Sequence, residues 1–290
     1  MKRRKKVTDN IELTNNNPEE NPKKESIEKI KKKRLVIVTG DKGGVGKSTF
    51  ARGLVQTYLD KGQRFLGFDA DSSNSQLLRF YGQHCHIEPL DIFKTGNIDQ
   101  FFDEMKNKAN PKVEGDGQIA QPESLFLLEL PPQSRRILRK FVQQMNFLET
   151  AEKSYNIRVT MVVVISRVSD SINQLIDLHS FCENQVDYIV VKNLFFGEAD
   201  EFTRYEKSPE VQKIKKQLDE QKSRFANITM PELIERSYDY LDENSMTFRQ
   251  GMEQIDLPSV KGRVTSWLRT FKEEIEPVKE LLGLENAELS

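Results

Sequence analysis

Between the apolar run Leu35–Thr39 and a segment of helical period that starts at Lys47 lies Gly40-Asp41-Lys42-Gly43-Gly44-Val45-Gly46-Lys47-Ser48-Thr49. An extended run, a glycine-rich turn and a helix start, in that order, confine the chain to a strand that feeds a helix through a tight anion-binding turn. Because Gly43, Gly44 and Gly46 have no side chains to obstruct it, the backbone from Gly43 through Val45 to Gly46 is free to converge its N–H groups on phosphate oxygens, and the helix N-terminus adds its positive dipole end. In such a turn Lys47 reaches the β- and γ-phosphates, Ser48 gives its hydroxyl to Mg²⁺, and Thr49 bonds the α-phosphate.

The rest of the chain repeats this alternation. Leu35–Thr39, Phe65–Phe68, Leu125–Leu128, Val159–Ile165, Tyr188–Val191 and a weaker run at Ala226–Met230 read as strands. Between and after them, Lys47–Asp60, Ser134–Lys153, Ser169–Glu183, Pro209–Lys222, Met246–Ile255 and Val260–Leu281 carry helical period. Near-continuous apolar strands such as MVVVI and LFLL imply coverage on both faces. The pattern predicts an α/β fold, a mostly parallel central sheet with helices on both faces. Residues 82–122 read as an irregular insertion with an amphipathic piece at Ile98–Met105, so residues 35–290 are expected to be one domain carrying that insertion.

Charge separates the N-terminal arm from this body. Formal net charge is −1, but residues 1–34 hold twelve Lys/Arg against six Asp/Glu. With almost no apolar residue before Ile27, the arm is expected to be a disordered basic tail. Both nucleic-acid or acidic-partner contact through charge and simple solubilisation fit it. Two distant cysteines, Cys85 and Cys182, argue against a disulfide framework or a structural metal, and His84-Cys85-His86 has too few companions for a metal site. The chain shows neither an apolar run of the roughly 18–20 residues a membrane helix needs nor a signal-peptide core, so a cytoplasmic protein is expected.

The stretch Lys42 to Thr49 departs from the simple phosphate-loop expression, since Asp41 stands where a glycine is usual. It resembles instead the deviant Walker A sequence of the ParA/MinD superfamily of P-loop ATPases, with its second lysine at the start of the loop. That resemblance implies an ATP-dependent sandwich homodimer in which Lys42 reaches the nucleotide of the other subunit. An intrasubunit, solvent-facing Lys42 is the alternative. A carboxylate aimed at a triphosphate would be repelled, so Asp41 is expected to point away.

Further segments extend the resemblance. Phe68-Asp69-Ala70-Asp71 is similar to the family's D-x-D segment, which implies that Asp71 orients or activates the attacking water and Asp69 helps organise the Mg²⁺ shell, with Asp71 also near the ion. Ser72 and Ser73 replace the family's proline and glutamine. An N-cap or Asx-turn is the plainer reading of Asp71. Leu125–Leu128 followed by Glu129, Leu130 and two prolines resembles the Walker B region, with Glu129 where aspartate is general. The longer side chain implies slow hydrolysis. Asn193, at the end of the fifth strand, has the donor and acceptor that suit an adenine edge. The family likewise uses an asparagine here for base recognition, which implies that Asn193 favours ATP over GTP, and Pro231 would lie beside the base. A turn-forming Asn193 is the alternative.

On this reading the cofactors are ATP and Mg²⁺, and Lys42, Lys47 and Asp71 carry catalysis. The chain would be a slow, partner-stimulated ATPase switch in plasmid or DNA partition, mobilisation or cargo positioning. DNA or a DNA-bound protein is the expected partner. Lys213, Lys215, Lys216, Lys261, Arg263 and Arg269 offer a basic face, although acidic neighbours also suit a mixed solvated one. Residues 273–290 carry one lysine against six glutamates, which disfavours attachment to anionic membranes. Two other classes remain open: a small-molecule ligase of the dethiobiotin synthetase kind, and a nucleotide-binding scaffold with negligible turnover.

Overall fold

The computed structural model describes residues 32–40, 42–112, 120–221 and 223–284. The expectations for the arm up to Lys31, for Asp41 and for the last six residues fall outside the described residues. In chain order the structure comprises β1 (Lys33–Thr39), α1 (Lys47–Asp60), β2 (Leu66–Asp69), α2 (Gln76–Tyr81), β3 (Ile87–Pro89) and α3 (Asn97–Ala109). There follow β4 (Leu125–Glu129), α4 (Arg135–Gln144), α5 (Phe147–Tyr155), β5 (Ile157–Ile165), α6 (Ser169–Cys182) and β6 (Asp187–Asn193). The chain continues with α7 (Thr203–Glu206), α8 (Pro209–Glu220), β7 (Phe225–Met230), α9 (Glu235–Glu243), α10 (Phe248–Met252) and α11 (Pro258–Ile275).

The strands form one seven-stranded sheet in the order β3-β2-β4-β1-β5-β6-β7, and every pairing is parallel. Strand alternation divides the core in two. Leu35 and Ile37 pack with Phe126, Leu128, Val159 and Met161 under α3–α8, while Val36 and Val38 pack with Leu125, Leu127, Val162 and Val164 under α1, α2 and α9–α11. Each such side chain contributes about 1.5–3 kcal/mol on burial, which is why β1, buried on both faces, holds the centre. From β1 the chain turns first towards β2 and β3, then to the other side through β5, so the phosphate turn stands at the point where the strand order reverses, a ligand crevice in open α/β sheets.

Helix α1 is held against α11 by a close approach at Gly53. A Cβ there would come within 2.9 Å of both Phe271 and Trp267, and Phe50 meets Phe271 edge-on with ring centroids 5.3 Å apart. At the amino-terminal ends of the central strands Arg34 is buried, donating to Thr160 Oγ1 at 2.6 Å and Asp187 Oδ2 at 2.8 Å. Burial alone would raise the Asp187 carboxyl, but the Arg34 hydrogen bond and the Arg158 charge hold it below its ordinary range. This pairing draws Lys33 and Arg34 into β1, two residues before the apolar run.

Several elements differ from the expectation. The helix expected over Ser134–Lys153 is broken: Asn146 takes φ 48°, a left-handed conformation that asparagine tolerates, and Phe147 turns back to stack on Phe141 at 4.1 Å. The segment expected to be irregular after Gly82 supplies an edge strand, β3, and its amphipathic piece at Ile98–Met105 lies within the longer α3, whose Phe101 and Phe102 pack into the core. The last expected helix ends as α11 at Ile275, and residues 276–282 continue as a 3₁₀ turn with Pro277 in its first turn. Helices α2, α7 and α9 are additional.

Candidate nucleotide site

A cleft of about 530 Å³ opens at the carboxyl ends of the central strands. One end is lined by Gly43, Gly44, Gly46, Lys47, Ser48 and Thr49, with Asp71 facing them. The loop is shaped locally. Gly46 takes φ 100° just before α1, and Lys47, only 6% exposed, donates from Nζ to the Lys42 carbonyl at 3.2 Å. The ammonium therefore already lies folded back across the loop whose N–H groups would share the phosphate. Lys42 itself is exposed and Val45 is buried.

The oxygen-bearing residues separate into two layers. Ser48 Oγ donates to Glu129 Oε1, which fixes the start of α1 to the end of β4. Glu129 is buried, its Oε2 has no hydrogen-bond partner, and burial pushes its carboxyl up to about 8 despite the Ser48 hydroxyl, with Asp69 adding to the rise. Asp69 lies behind the cleft. Its Oδ1 accepts from the Asp71 N–H at 3.1 Å and its Oδ2 from the Leu78 N–H at 3.0 Å, so it anchors the turn after β2 and the first turn of α2. Burial raises the Asp69 carboxyl, and those two N–H groups oppose the rise. Asp71 is the member of the D-x-D pair that reaches the cleft, with Oδ1 accepting from Ser73 Oγ at 2.5 Å.

Mg²⁺ is the ion this donor set suits. A hydroxyl and a carboxylate stand hydrogen-bonded to each other, one further carboxylate oxygen is buried without a partner, and all donors are oxygen, as a hard cation requires. Ser48 and Glu129 would hold the ion, with Asp71 on the open side. Among the described residues no group of three or more His, Cys, Asp and Glu is placed to hold a metal ion.

The far end of the cleft draws on distant parts of the chain. Asn193 lines it but is only 5% exposed, with Nδ2 donating to the Val45 carbonyl at 2.9 Å and Oδ1 accepting from the Phe195 N–H at 3.1 Å. Pro231 also lines it, and its carbonyl accepts from the Trp267 indole at 2.7 Å. Phe195, Met230, Leu233 and Tyr238 complete an apolar wall that no sequence motif announced. A pair of phenylalanines closely following a strand-ending asparagine was the available signal.

The chain matches the CobQ/CobB/MinD/ParA nucleotide binding domain over residues 36–197. It is similar to the Protein MobD of Acidithiobacillus ferrooxidans, 21% identical over 246 residues that cover 85% of this chain and 98% of that protein. Among solved structures it is similar to a putative plasmid partition protein of Borrelia burgdorferi B31 bound to AMPPNP, with 16% identity, TM-score 0.44, and 86% and 98% of the two chains covered. The ATP complex of a Cyanothece McdA variant aligns at 14% identity and TM-score 0.37 over 88% and 98%. The domain match spans more than half of the chain, from β1 through the end of β6, and includes the phosphate loop, Asp71, Glu129 and Asn193. This protein belongs to the CobQ/CobB/MinD/ParA family of nucleotide-binding domains.

Proposed function

We propose that the chain is an ATP-driven switch that acts in plasmid or DNA partition, mobilisation or cargo positioning in the cytoplasm. The observation that carries this reading is the contrast between the two loop lysines: Lys47 is folded onto its own loop, whereas Lys42 is exposed beside the same cleft. An exposed lysine there suits contact with a triphosphate held by a second copy. ATP and Mg²⁺ would thus draw two copies together across the cleft, and hydrolysis would part them. DNA or a DNA-bound protein is the partner this reading assigns to the closed pair. No helix among the described residues is long and apolar enough to cross a membrane.

The chemistry asked of the chain is positioning and charge compensation. Water attacks the γ-phosphorus in line with the bridging oxygen that departs with ADP, and Asp71 orients that water from the open side of the cleft. Lys47 and the partner's copy of residue 42 neutralise charge on the transferring group. Ser48 and Glu129 would hold Mg²⁺, which when bound would supply further charge neutralisation. Glu129 holds Ser48, and its additional methylene relative to aspartate supports slow turnover.

Glu129→Ala tests the catalytic half of this reading. Loss of a carboxylate that supports the ion lowers Mg²⁺-dependent ATP hydrolysis about tenfold or more, while ATP affinity, carried chiefly by the loop, changes little. Phosphate-release rates and equilibrium titration on the same preparation separate the two. Hydrolysis in the variant equal to that of the parent would remove Glu129 from the reaction.

A further inference from the structure

Asp71 lies on the turn after β2, outside any helix or strand, yet that turn confines it closely. Its N–H donates to Asp69 Oδ1 at 3.1 Å. Its carbonyl accepts from the N–H groups of Asn74 at 3.0 Å and Ser75 at 2.6 Å, and from Ser75 Oγ at 3.2 Å. The conformation that brings Ser75 back onto this carbonyl is rare for a residue with a Cβ, at φ 25° and ψ 50°. Such strain persists where the surroundings over-determine it, and it gathers at working sites. Asp69 carries the hold further, since its Oδ2 accepts from the Leu78 N–H of α2. With the backbone fixed from both sides, what is left to set is the rotation of the Asp71 carboxylate. Ser73, which lines the same cleft, sets it by donating from Oγ to Asp71 Oδ1 at 2.5 Å. Oδ2 has no hydrogen-bond partner among the described residues.

We propose that Ser73 is a positioning residue for hydrolysis: its hydroxyl occupies one oxygen of Asp71 and leaves Oδ2 as the oxygen that meets the attacking water. The inference rests on the reading of Asp71 as the group that orients this water, and adds the residue that serves it. The last torsion of an aspartate is broad and nearly two-fold, so an untethered carboxylate offers either oxygen over a wide range of angles. A hydroxyl bonded to a carboxylate makes a short, strong contact that narrows this range. In-line attack tolerates little misplacement of the water, so the narrowing acts on the rate of the chemical step. Ground-state binding is left to the glycine loop and Lys47, neither of which Ser73 touches. Removing the Ser73 hydroxyl therefore slows hydrolysis without weakening nucleotide binding, which a side chain that merely shaped the loop would not do.

The test is ATP hydrolysis by the full chain at saturating Mg²⁺-ATP, paired with equilibrium titration of ADP on the same preparations. Ser73→Ala is expected to lower kcat about tenfold, with KM and ADP affinity within about twofold of the parent's. Ser73→Thr, which keeps a hydroxyl, is expected to recover kcat to within about threefold of the parent's. Ser72→Ala is the control, since the Ser72 side chain has no hydrogen-bond partner among the described residues, and it is expected to keep the parent's kcat. Asp71→Asn is expected to lower kcat about a hundredfold, and Ser73→Ala added to it to lower kcat no further, because the two residues act through one oxygen pair. The proposal is overturned by Ser73→Ala with the parent's kcat or a higher one, by a loss of ADP affinity equal to the loss of kcat, by Ser73→Thr no faster than Ser73→Ala, or by a further tenfold or so loss in the Asp71→Asn background. Asp71→Asn that hydrolyses ATP as fast as the parent, or a parent that binds ADP and hydrolyses no ATP, overturns the reading of Asp71 itself, and this proposal with it.

Discussion

Gly46→Ala is expected to weaken nucleotide binding by about two orders of magnitude or more. The residue takes φ 100° and ψ 18°, where a Cβ crowds the following carbonyl at a cost of roughly 1–2 kcal/mol. A Cβ at this position would also overlap Asn193 Nδ2 and approach Met230 Cε to 2.9 Å. Asn193 would then have to leave the Val45 carbonyl, and a buried polar group without its partner costs about 1–3 kcal/mol. The variant relieves both by moving the loop, which displaces the N–H groups that would meet the phosphate. ADP titration measures the effect. An affinity within about threefold of the parent would show that the left-handed turn is not what shapes the site.

Lys47→Ala is expected to have an effect of similar size by a different route. Lys47 is nearly buried and its ammonium sits 3.2 Å from the Lys42 carbonyl. The loop thus presents a fixed, poorly hydrated positive charge to an incoming polyphosphate. Truncating one partner of such a charged contact costs about 2–5 kcal/mol, a loss of roughly a hundredfold or more in ATP affinity. The same titration with pyrophosphate isolates the charge from the base. A variant that retains the parent's affinity for both would place the phosphates elsewhere in the cleft.

The glycine-loop end of the candidate site was legible because it is local in sequence. Ten consecutive residues carry the turn, the lysine and the hydroxyl, and α1 spans Lys47–Asp60 as its period predicts. Glu129 was legible for a similar reason: it ends a run of buried residues that can only be a strand, and β4 lies beside β1. The D-x-D pair was half legible. Spacing placed both carboxylates at the end of β2, but not that Asp69 would accept from the backbone N–H groups of Asp71 and Leu78 while Asp71 lines the cleft. The base end was least legible, since Phe195, Leu233 and Tyr238 come together only through the crossovers that follow β6 and β7. The polarity of α9 hid a helix whose Ser237 and Leu241 are buried, and β3 has only three residues, one of them Pro89.

If nucleotide joins two copies of this chain through Lys42, removal of that ammonium separates them. Sedimentation of the parent and of Lys42→Ala, each with Mg²⁺ and either a non-hydrolysable ATP analogue or ADP, measures this directly. The parent is expected to be a dimer with the triphosphate analogue and a monomer with ADP, and Lys42→Ala a monomer with both, its ADP affinity within about threefold of the parent's. A Lys42→Ala protein that dimerises with the triphosphate analogue as fully as the parent would contradict it.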